Sequence, residues 1–425
     1  MRAGEPILLI CHAFPPIFDI GGRRWAKFAK ELARRGHPVH VIRAEQEPDA
    51  PVSLWAGDGA TAGIVHHPLP RRYPAVLTRP KVTSLTDKLR YRAYARLLPL
   101  ATKGNWYDHT VFWGKPMKGA AARLIRGHGI RQVVVTGFPF RAMVHALALK
   151  HDFPQLRLTM DFRDEWTTAG HYGLASMPPA RVAQEKEFEA QVVQLADNII
   201  SPHTKVLEHL RQVNSGSAAR FIHIPHAVDP DDFDLSIKPA PDGRFKLIYA
   251  GSLYGEGEAK AYFTELLDAL HVLQGSRPQA FSNFRFDLYI TGHDTQWYEE
   301  EVAARGWQDR IVFHEPVPPR EAFNHIRASD LVMLFIPAVN KDILGTKFQE
   351  IFYTGTPILH VGEEGLVSRT ILSKHMGTSV RVAELATELP RIISGERKVE
   401  CDRNADHRAY LLPNVTDRLL AEVLT

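Results

Sequence analysis

Five residue types that suit anion and sugar chemistry stand close together in one stretch, DILGTKFQEIFYTGTPILHV: Asp342, Gly345, Thr346, Lys347 and Glu350. The stretch reads as a loop, a short amphipathic helix, a turn and a buried strand. Phe348, Ile351 and Phe352 share one helix face and are expected to pack on a sheet. At about 100° per residue, Glu350 lies roughly 160–200° round from them and is predicted to point away from the core. Gly345 and Thr346 mark the helix start, where free backbone amides and the helix dipole favour an anion. Lys347 adds a positive charge there. A carboxylate one turn further on can accept hydrogen bonds from a pair of ribose hydroxyls. Phosphate followed by ribose is the layout of a nucleotide. The same residues also fit a surface helix with Glu and Lys in solvent, and periodicity alone does not choose.

Other candidates are scattered. DFRDEW ends an apolar run, so Asp161, Arg163 and Asp164 could position an acceptor or form a structural Arg–carboxylate pair. Gly21 and Gly22 follow an early apolar run. Small residues there allow a ligand to approach the backbone closely, or make a plain turn. GEGEAK resembles a dinucleotide fingerprint, but Lys260 stands where the third glycine belongs. The 21 histidines show no metal-ligand spacing, so no metal and no cofactor are expected. Residues 71–103 hold nine Lys or Arg and one acid, Asp87, interleaved with Tyr73, Leu77, Leu85, Leu89, Tyr91, Tyr94, Leu97 and Leu98. That mixture suits an anionic membrane surface. It also fits a solvated basic helix. A nucleic-acid patch is disfavoured, since no nucleic-acid motif accompanies it.

The elements that must position these groups follow from periodicity. PILLICH reads as a strand buried on both faces. In RRWAKFAKELARRG, the residues Trp25, Phe28, Ala29 and Leu32 form one helix face, and Gly36 ends the helix. HPVHVIRA follows as a strand. Such β-α-β units imply a parallel sheet, whose ligands lie where loops leave the strand ends. RQVVVTG, RLTMDF, DNIISP and FIHIPHAVD continue the first series. FKLIYAG, FRFDLYITG, RIVFHEPV, DLVMLFI and TPILHV form a second. The fold class is therefore α/β, with two Rossmann-like doubly wound parallel-sheet domains. Their strand ends are expected to face one cleft. The Pro- and Asp-rich DPDDFDLSIKPAPDGR places the boundary near residue 235. The expected organisation is an acceptor domain over 1–235, a donor domain over 236–400, and a helical tail over 401–425 that crosses back.

Composition narrows the class. A chain of 425 residues with 44% hydrophobic and 24% charged residues is an ordinary globular protein of two domains. A net charge of +4 gives no bulk argument for nucleic acid. Two cysteines, Cys11 and Cys401, build neither a disulfide framework nor a zinc site. With no leader-like segment and no run of about 18 apolar residues, a cytosolic or membrane-peripheral location is expected.

The order YAGSLY, LYITG, RIVFHEPVPPREAFNHIRASDLVMLF, GTKFQEIFYTGTPIL resembles the C-terminal domain of GT-B glycosyltransferases, family 4 above all. FPPIFDIGGRRWAKFAKELARRGHPVHVI, VVVTGFPF, MDFRDEWT and IPHAVD resemble the first-domain landmarks of bacterial family 4 enzymes of envelope and exopolysaccharide synthesis. The resemblance covers nearly the whole chain. It implies retaining transfer of a sugar from a nucleotide-diphosphate sugar to a saccharide or lipid-linked acceptor. Asp342 and Glu350 match the family's spaced pair of acids, Glu350 for the ribose and Asp342 for the donor sugar. Gly345 and Thr346 would offer amides to the diphosphate. Gly21, Gly22, Gly251 and Ser252 would line the donor site, with Asp342, Lys347 and Asp164 assisting catalysis. The chain departs from the family after Gly251, where Ser252 and Leu253 replace the usual basic residue. Either Lys260 or Lys347 must then neutralise the leaving diphosphate. A nucleotide-sugar epimerase and a non-catalytic nucleotide-sugar-binding subunit are the rival readings.

Overall fold

The computed structural model describes residues 4–47, 50–78, 82, 84–102, 108–168, 174, 177–239, 243–253, 256–292, 294–402 and 408–424. The chain divides into two compact units, Met1–Ala227 with Leu412–Thr425, and Val228–Leu411.

The first unit holds a seven-stranded parallel sheet. Its strands are β1 (Ile7–Ile10), β2 (Val39–Ala44), β3 (Ile64–Leu69), β4 (Gln132–Gly137), β5 (Arg157–Phe162), β6 (Asn198–Ser201) and β7 (Arg220–His223), in spatial order β3-β2-β1-β4-β5-β6-β7. β1 is buried throughout because both its faces are covered. Leu8 and Ile10 join one apolar layer with Trp113, Met117 and Phe140. Ile7 and Leu9 join the opposite layer with Trp25, Phe28 and Leu32. Helix α1 (Arg23–Arg34) thus packs through the face its periodicity predicts, and Gly36 follows it at φ +82°. The other side of α1 is also covered, which periodicity does not predict. Lys27 and Lys30 are buried, with their ammonium groups 2.9 and 3.3 Å from the Asp58 carboxylate. Helix α2 (Leu85–Ala101) lies in the basic segment, and helix α3 (Gly114–His128) precedes β4. Of that segment, residues 79–81, 83 and 103 fall outside the described residues.

The second unit holds a six-stranded parallel sheet. Its strands are β8 (Phe245–Gly251), β9 (Phe284–Ile290), β10 (Ile311–His314), β11 (Leu331–Ile336), β12 (Ile358–Gly362) and β13 (Gly377–Val380), in order β10-β9-β8-β11-β12-β13. Leu247 and Tyr249 face one apolar layer and Ile248 the other. Helix α4 (Glu256–Ser276) follows β8, α5 (Pro319–Arg327) precedes β11, α6 (Thr346–Thr354) joins β11 to β12, and α7 (Leu366–Ser373) joins β12 to β13.

The boundary differs from the expected residue 235. Residues 228–235 belong with the second unit: Phe233 stacks on Phe323 at 4.4 Å, and the Val228 amide donates to the Tyr410 carbonyl. Residues 401–411 stay there too, where the Asp402 amide donates to the His375 carbonyl at 2.7 Å. The tail narrows to α8 (Leu412–Arg418) and the turns after it. There Leu412, Val415, Leu419, Val423 and Leu424 join the Trp25–Phe28 layer of the first unit.

Candidate active site

In both sheets the chain works outward from one strand and then restarts on that strand's other side. The restart falls between β1 and β4 in the first unit and between β8 and β11 in the second. Loops diverge at such a point, leaving a crevice beyond the strands' C-terminal ends.

In the second unit β8 ends at Gly251, in a left-handed conformation at φ +130°. The Lys347 side chain fills the space beside it. A Cβ on Gly251 would stand 2.7 Å from the Lys347 Nζ. The ammonium lies 4.4 Å from the centre of the Tyr249 ring, a cation–π contact. Lys347 sits in the first turn of α6, whose N-cap is Gly345. So the helix after β11 reaches across the restart point to β8. Burial pushes the Lys347 ammonium down from 10.5 to about 8, with no carboxylate among the described residues opposing the shift. The β8 and β9 ends are tied together beside it. Tyr249 donates its hydroxyl to the Ser252 carbonyl at 2.8 Å, and the Ser252 and Thr291 hydroxyls lie 3.1 Å apart.

Lys260 is held elsewhere, with its Nζ 5.3 Å from the Trp297 ring centre. Between the two lysines left open by the sequence, Lys347 is therefore the one at the β8 terminus. Glu350 is 9% exposed, so it is not the solvent-facing residue of a surface helix. The apolar face of α6 packs as expected, with Phe348, Ile351 and Phe352 all buried. Asp342 accepts from the Leu366 amide at 2.8 Å, and Arg369 lies 3.8 Å from the same oxygen. That carboxylate therefore holds the 337–345 loop against the start of α7.

The first unit gathers DFRDEW and the Gly-Gly turn around its own restart point. Arg163 donates to the Gly21 carbonyl after β1, to the Phe138 carbonyl after β4 at 3.4 Å, and to Asp164 at 2.9 Å. One guanidinium thus ties three loops. Asp19 accepts from the Gly21 amide at 2.6 Å. The space beside the two glycines is taken by the protein itself. A Cβ on Gly21 would meet the Arg163 guanidinium, and one on Gly22 would overlap the Ala13 carbonyl. Close packing by itself therefore requires a small residue at both positions. Asp161 is also placed differently from an acceptor-facing residue. It is wholly buried, accepting from Trp25 Nε1 at 2.7 Å and from the Thr136 hydroxyl at 3.1 Å, with Arg24 at 3.4 Å. Arg24 in turn donates to the Ile224 and Pro225 carbonyls. Asp161 thereby fixes α1 and the loop after β7.

Sequence reasoning passed over a ring cluster at the same end of this sheet. His109 lies 4.9 Å from Tyr73, 6.0 Å from Phe138 and 6.3 Å from His12. Burial lowers His12 to about 3 and His109 below its ordinary value, so both rings are neutral at pH 7. These positions are far apart in the chain, and no local motif joins them. The apolar run around His12 is the only sequence signal near it. Among the described residues no group of three or more His, Cys, Asp or Glu is placed to hold a metal ion.

No protein-family model matches the chain, and no curated protein is similar enough in sequence to be matched. Solved structures do match over its length. The chain is similar to sucrose-phosphate synthase from Thermosynechococcus elongatus, with a TM-score of 0.58 at 15% identity over 99% of this chain and 95% of that one. It is similar to a putative UDP-N-acetylglucosamine 2-epimerase from Listeria monocytogenes, with a TM-score of 0.55 at 14% identity and the same coverage. It is also similar to Anabaena Alr3699/HepE, solved in complex with UDP and glucose, with a TM-score of 0.52 at 12% identity over 99% and 95%. Two parallel Rossmann-like sheets in this order, matched along nearly the whole chain, give this protein the GT-B glycosyltransferase fold.

Proposed function

We propose that the protein is a glycosyltransferase that moves a sugar from a nucleotide-diphosphate sugar to a saccharide acceptor, carried on a lipid, with retention of configuration. One observation carries the reading. Lys347 is a largely buried cation with no carboxylate opposing it among the described residues, set beside Gly251 at the restart point and in the first turn of α6. A diphosphate would supply the missing negative charge. Gly345 and Thr346 contribute amides, Gly251 and Ser252 line the β8 end, and Glu350 takes the ribose. Asp342 sets the preceding loop and is assigned the donor sugar. On the acceptor side, Arg163 and Asp164 shape the loops, with Gly21, Gly22 and Asp161 as positioning residues. Bond cleavage leaves charge on the diphosphate, which Lys347 and the helix start stabilise. The acceptor hydroxyl attacks from the face the diphosphate leaves. No metal or cofactor is assigned. The enzyme works at the inner membrane face, in contact with anionic lipid through residues 71–103.

A thermal-shift screen of nucleotide sugars tests the donor site. A stabilising donor should be found, and its effect should be reduced, not lost, in Lys347→Ala. No shift with any nucleotide sugar would overturn the reading. The likeness to a putative 2-epimerase favours a second reading, nucleotide-sugar epimerisation. Incubating the donor without acceptor separates them, because only an epimerase makes an epimer.

A further inference from the structure

Helix α2 is mounted with its apolar side outward. A helix on a protein surface ordinarily turns its apolar stripe to the core and its charges to water. In α2 the positions that pack on the body are Asp87, Ala95, Leu98 and Pro99, and of these only Leu98 is buried. On the opposite side, Leu85, Leu89, Ala93 and Leu97 recur every four residues, and Leu100 completes the row. The four leucines are 76%, 58%, 60% and 76% exposed. Beside them runs a second row with the same spacing, Lys88, Arg92 and Arg96, all exposed. The one acid of the helix, Asp87, lies on the body side. Tyr91 and Tyr94 are partly exposed at its margins.

We infer that α2 lies in the plane of an anionic lipid leaflet, with its leucine row among the acyl chains and the basic row at the headgroups. The charge pattern chooses lipid over other occupants. The leucine row has cations at its edge, as a surface meeting anionic headgroups requires. The inference rests on the glycosyltransferase reading only for its purpose. Helix α2 packs against the short turn Ala75–Leu77, which follows Tyr73, and Tyr73 packs against His109 in the ring cluster at the sheet's C-terminal end. Inserting α2 would therefore bring the acceptor end of the first unit to the lipid surface, where a lipid-carried saccharide is presented.

The experiment is cosedimentation with phosphatidylglycerol-containing vesicles and with neutral phosphatidylcholine vesicles, from low to high salt. The basic row should make binding depend on phosphatidylglycerol, and the leucines should leave a fraction bound at high salt, where charges are screened. A Leu85→Ser/Leu89→Ser/Leu97→Ser variant should lose that fraction and bind at least tenfold more weakly at low salt, with an unchanged melting temperature. A Lys88→Gln/Arg92→Gln/Arg96→Gln variant should bind both vesicle types alike and weakly. Transfer to a short soluble acceptor should be kept by both variants. Wild-type binding by the leucine variant, or equal binding of the wild type to both vesicles, would overturn the inference. So would a wild-type dimer that the leucine variant turns into a monomer, since a second copy would then cover the row. If no donor supports transfer while vesicle binding still depends on the leucines, the enzymatic reading fails and the membrane reading stands.

Discussion

Lys347 is placed at a cost to the fold. Its folded value of about 8 lies below the ordinary 10.5, so the unfolded chain binds the proton more tightly. That cost is present in full below pH 8 and is relieved as pH rises from about 8 to 10.5. One unit corresponds to about 1.4 kcal/mol, so after discounting for partial exposure the cost is about 1–2 kcal/mol. Lys347→Met should therefore raise the melting temperature at pH 7 and abolish the rise in wild-type stability above pH 8. It should also lower turnover more than donor affinity, since charge grows on the leaving group in the transition state. Steady-state kinetics showing only a raised KM would assign Lys347 to uniform binding instead. Glu350 offers a complementary test. Glu350→Gln keeps its volume, which matters at a position only 9% exposed. A lost charge-assisted pair to ribose, about 1.5–3 kcal/mol, would weaken donor binding about tenfold to a hundredfold. Calorimetry showing unchanged affinity would remove Glu350 from the site.

At the scale of elements, close approach decides more than propensity does. Gly22 has an ordinary φ of −80°, yet a side chain there would run into the Ala13 carbonyl. Gly22→Ala is expected to destabilise the first unit by more than about 2 kcal/mol, because backbone on both sides must shift. A thermal melt like that of the wild type would contradict this. The β2–β3 edge carries a second dependence. His40 Nδ1 lies 3.1 Å from His67 Nε2, and the His40 and His128 rings are 4.1 Å apart. Burial, then the neighbouring histidines, lowers His40 to about 4 and His67 in the same direction. Both are neutral when folded and take protons when unfolded, so stability should fall as pH drops from about 6.5 towards 4. His40→Gln should flatten that loss in acid melts. If the slope persists, other groups dominate it.

For the whole molecule, the chain's end completes the first core. Leu412, Val415, Leu419, Val423 and Leu424 are each at most 1% exposed. Burying one such side chain contributes about 1.5–3 kcal/mol, so the five together rival the roughly 5–15 kcal/mol stability of a typical domain. A chain cut after Leu411 should lose the cooperative unfolding of the first unit and keep that of the second. Limited proteolysis or calorimetry would show one surviving transition, and survival of both would refute the dependence.

Much of this was legible in the chain. Apolar runs such as ILLI and LVMLFI determined buried parallel strands, because alternation vanishes when both faces are covered. The spacing of Trp25, Phe28, Ala29 and Leu32 determined the packed face of α1, and the spacing of Phe348, Ile351 and Phe352 that of α6. Elements with weak patterns were not legible. β3, with the sequence IVHHPL, and β13, with GTSV, are only partly buried and carry no apolar run long enough to mark a strand. Contacts between distant parts were decided by the tertiary structure alone. The sequence has no term for Lys347 meeting Gly251, for Arg163 tying Gly21 to Phe138, or for Asp161 turning inward to Trp25. Nor does periodicity say which side of α2 faces out. An amphipathic pattern sets the two faces of a helix, but only the body it leans on decides which one is left to the surroundings.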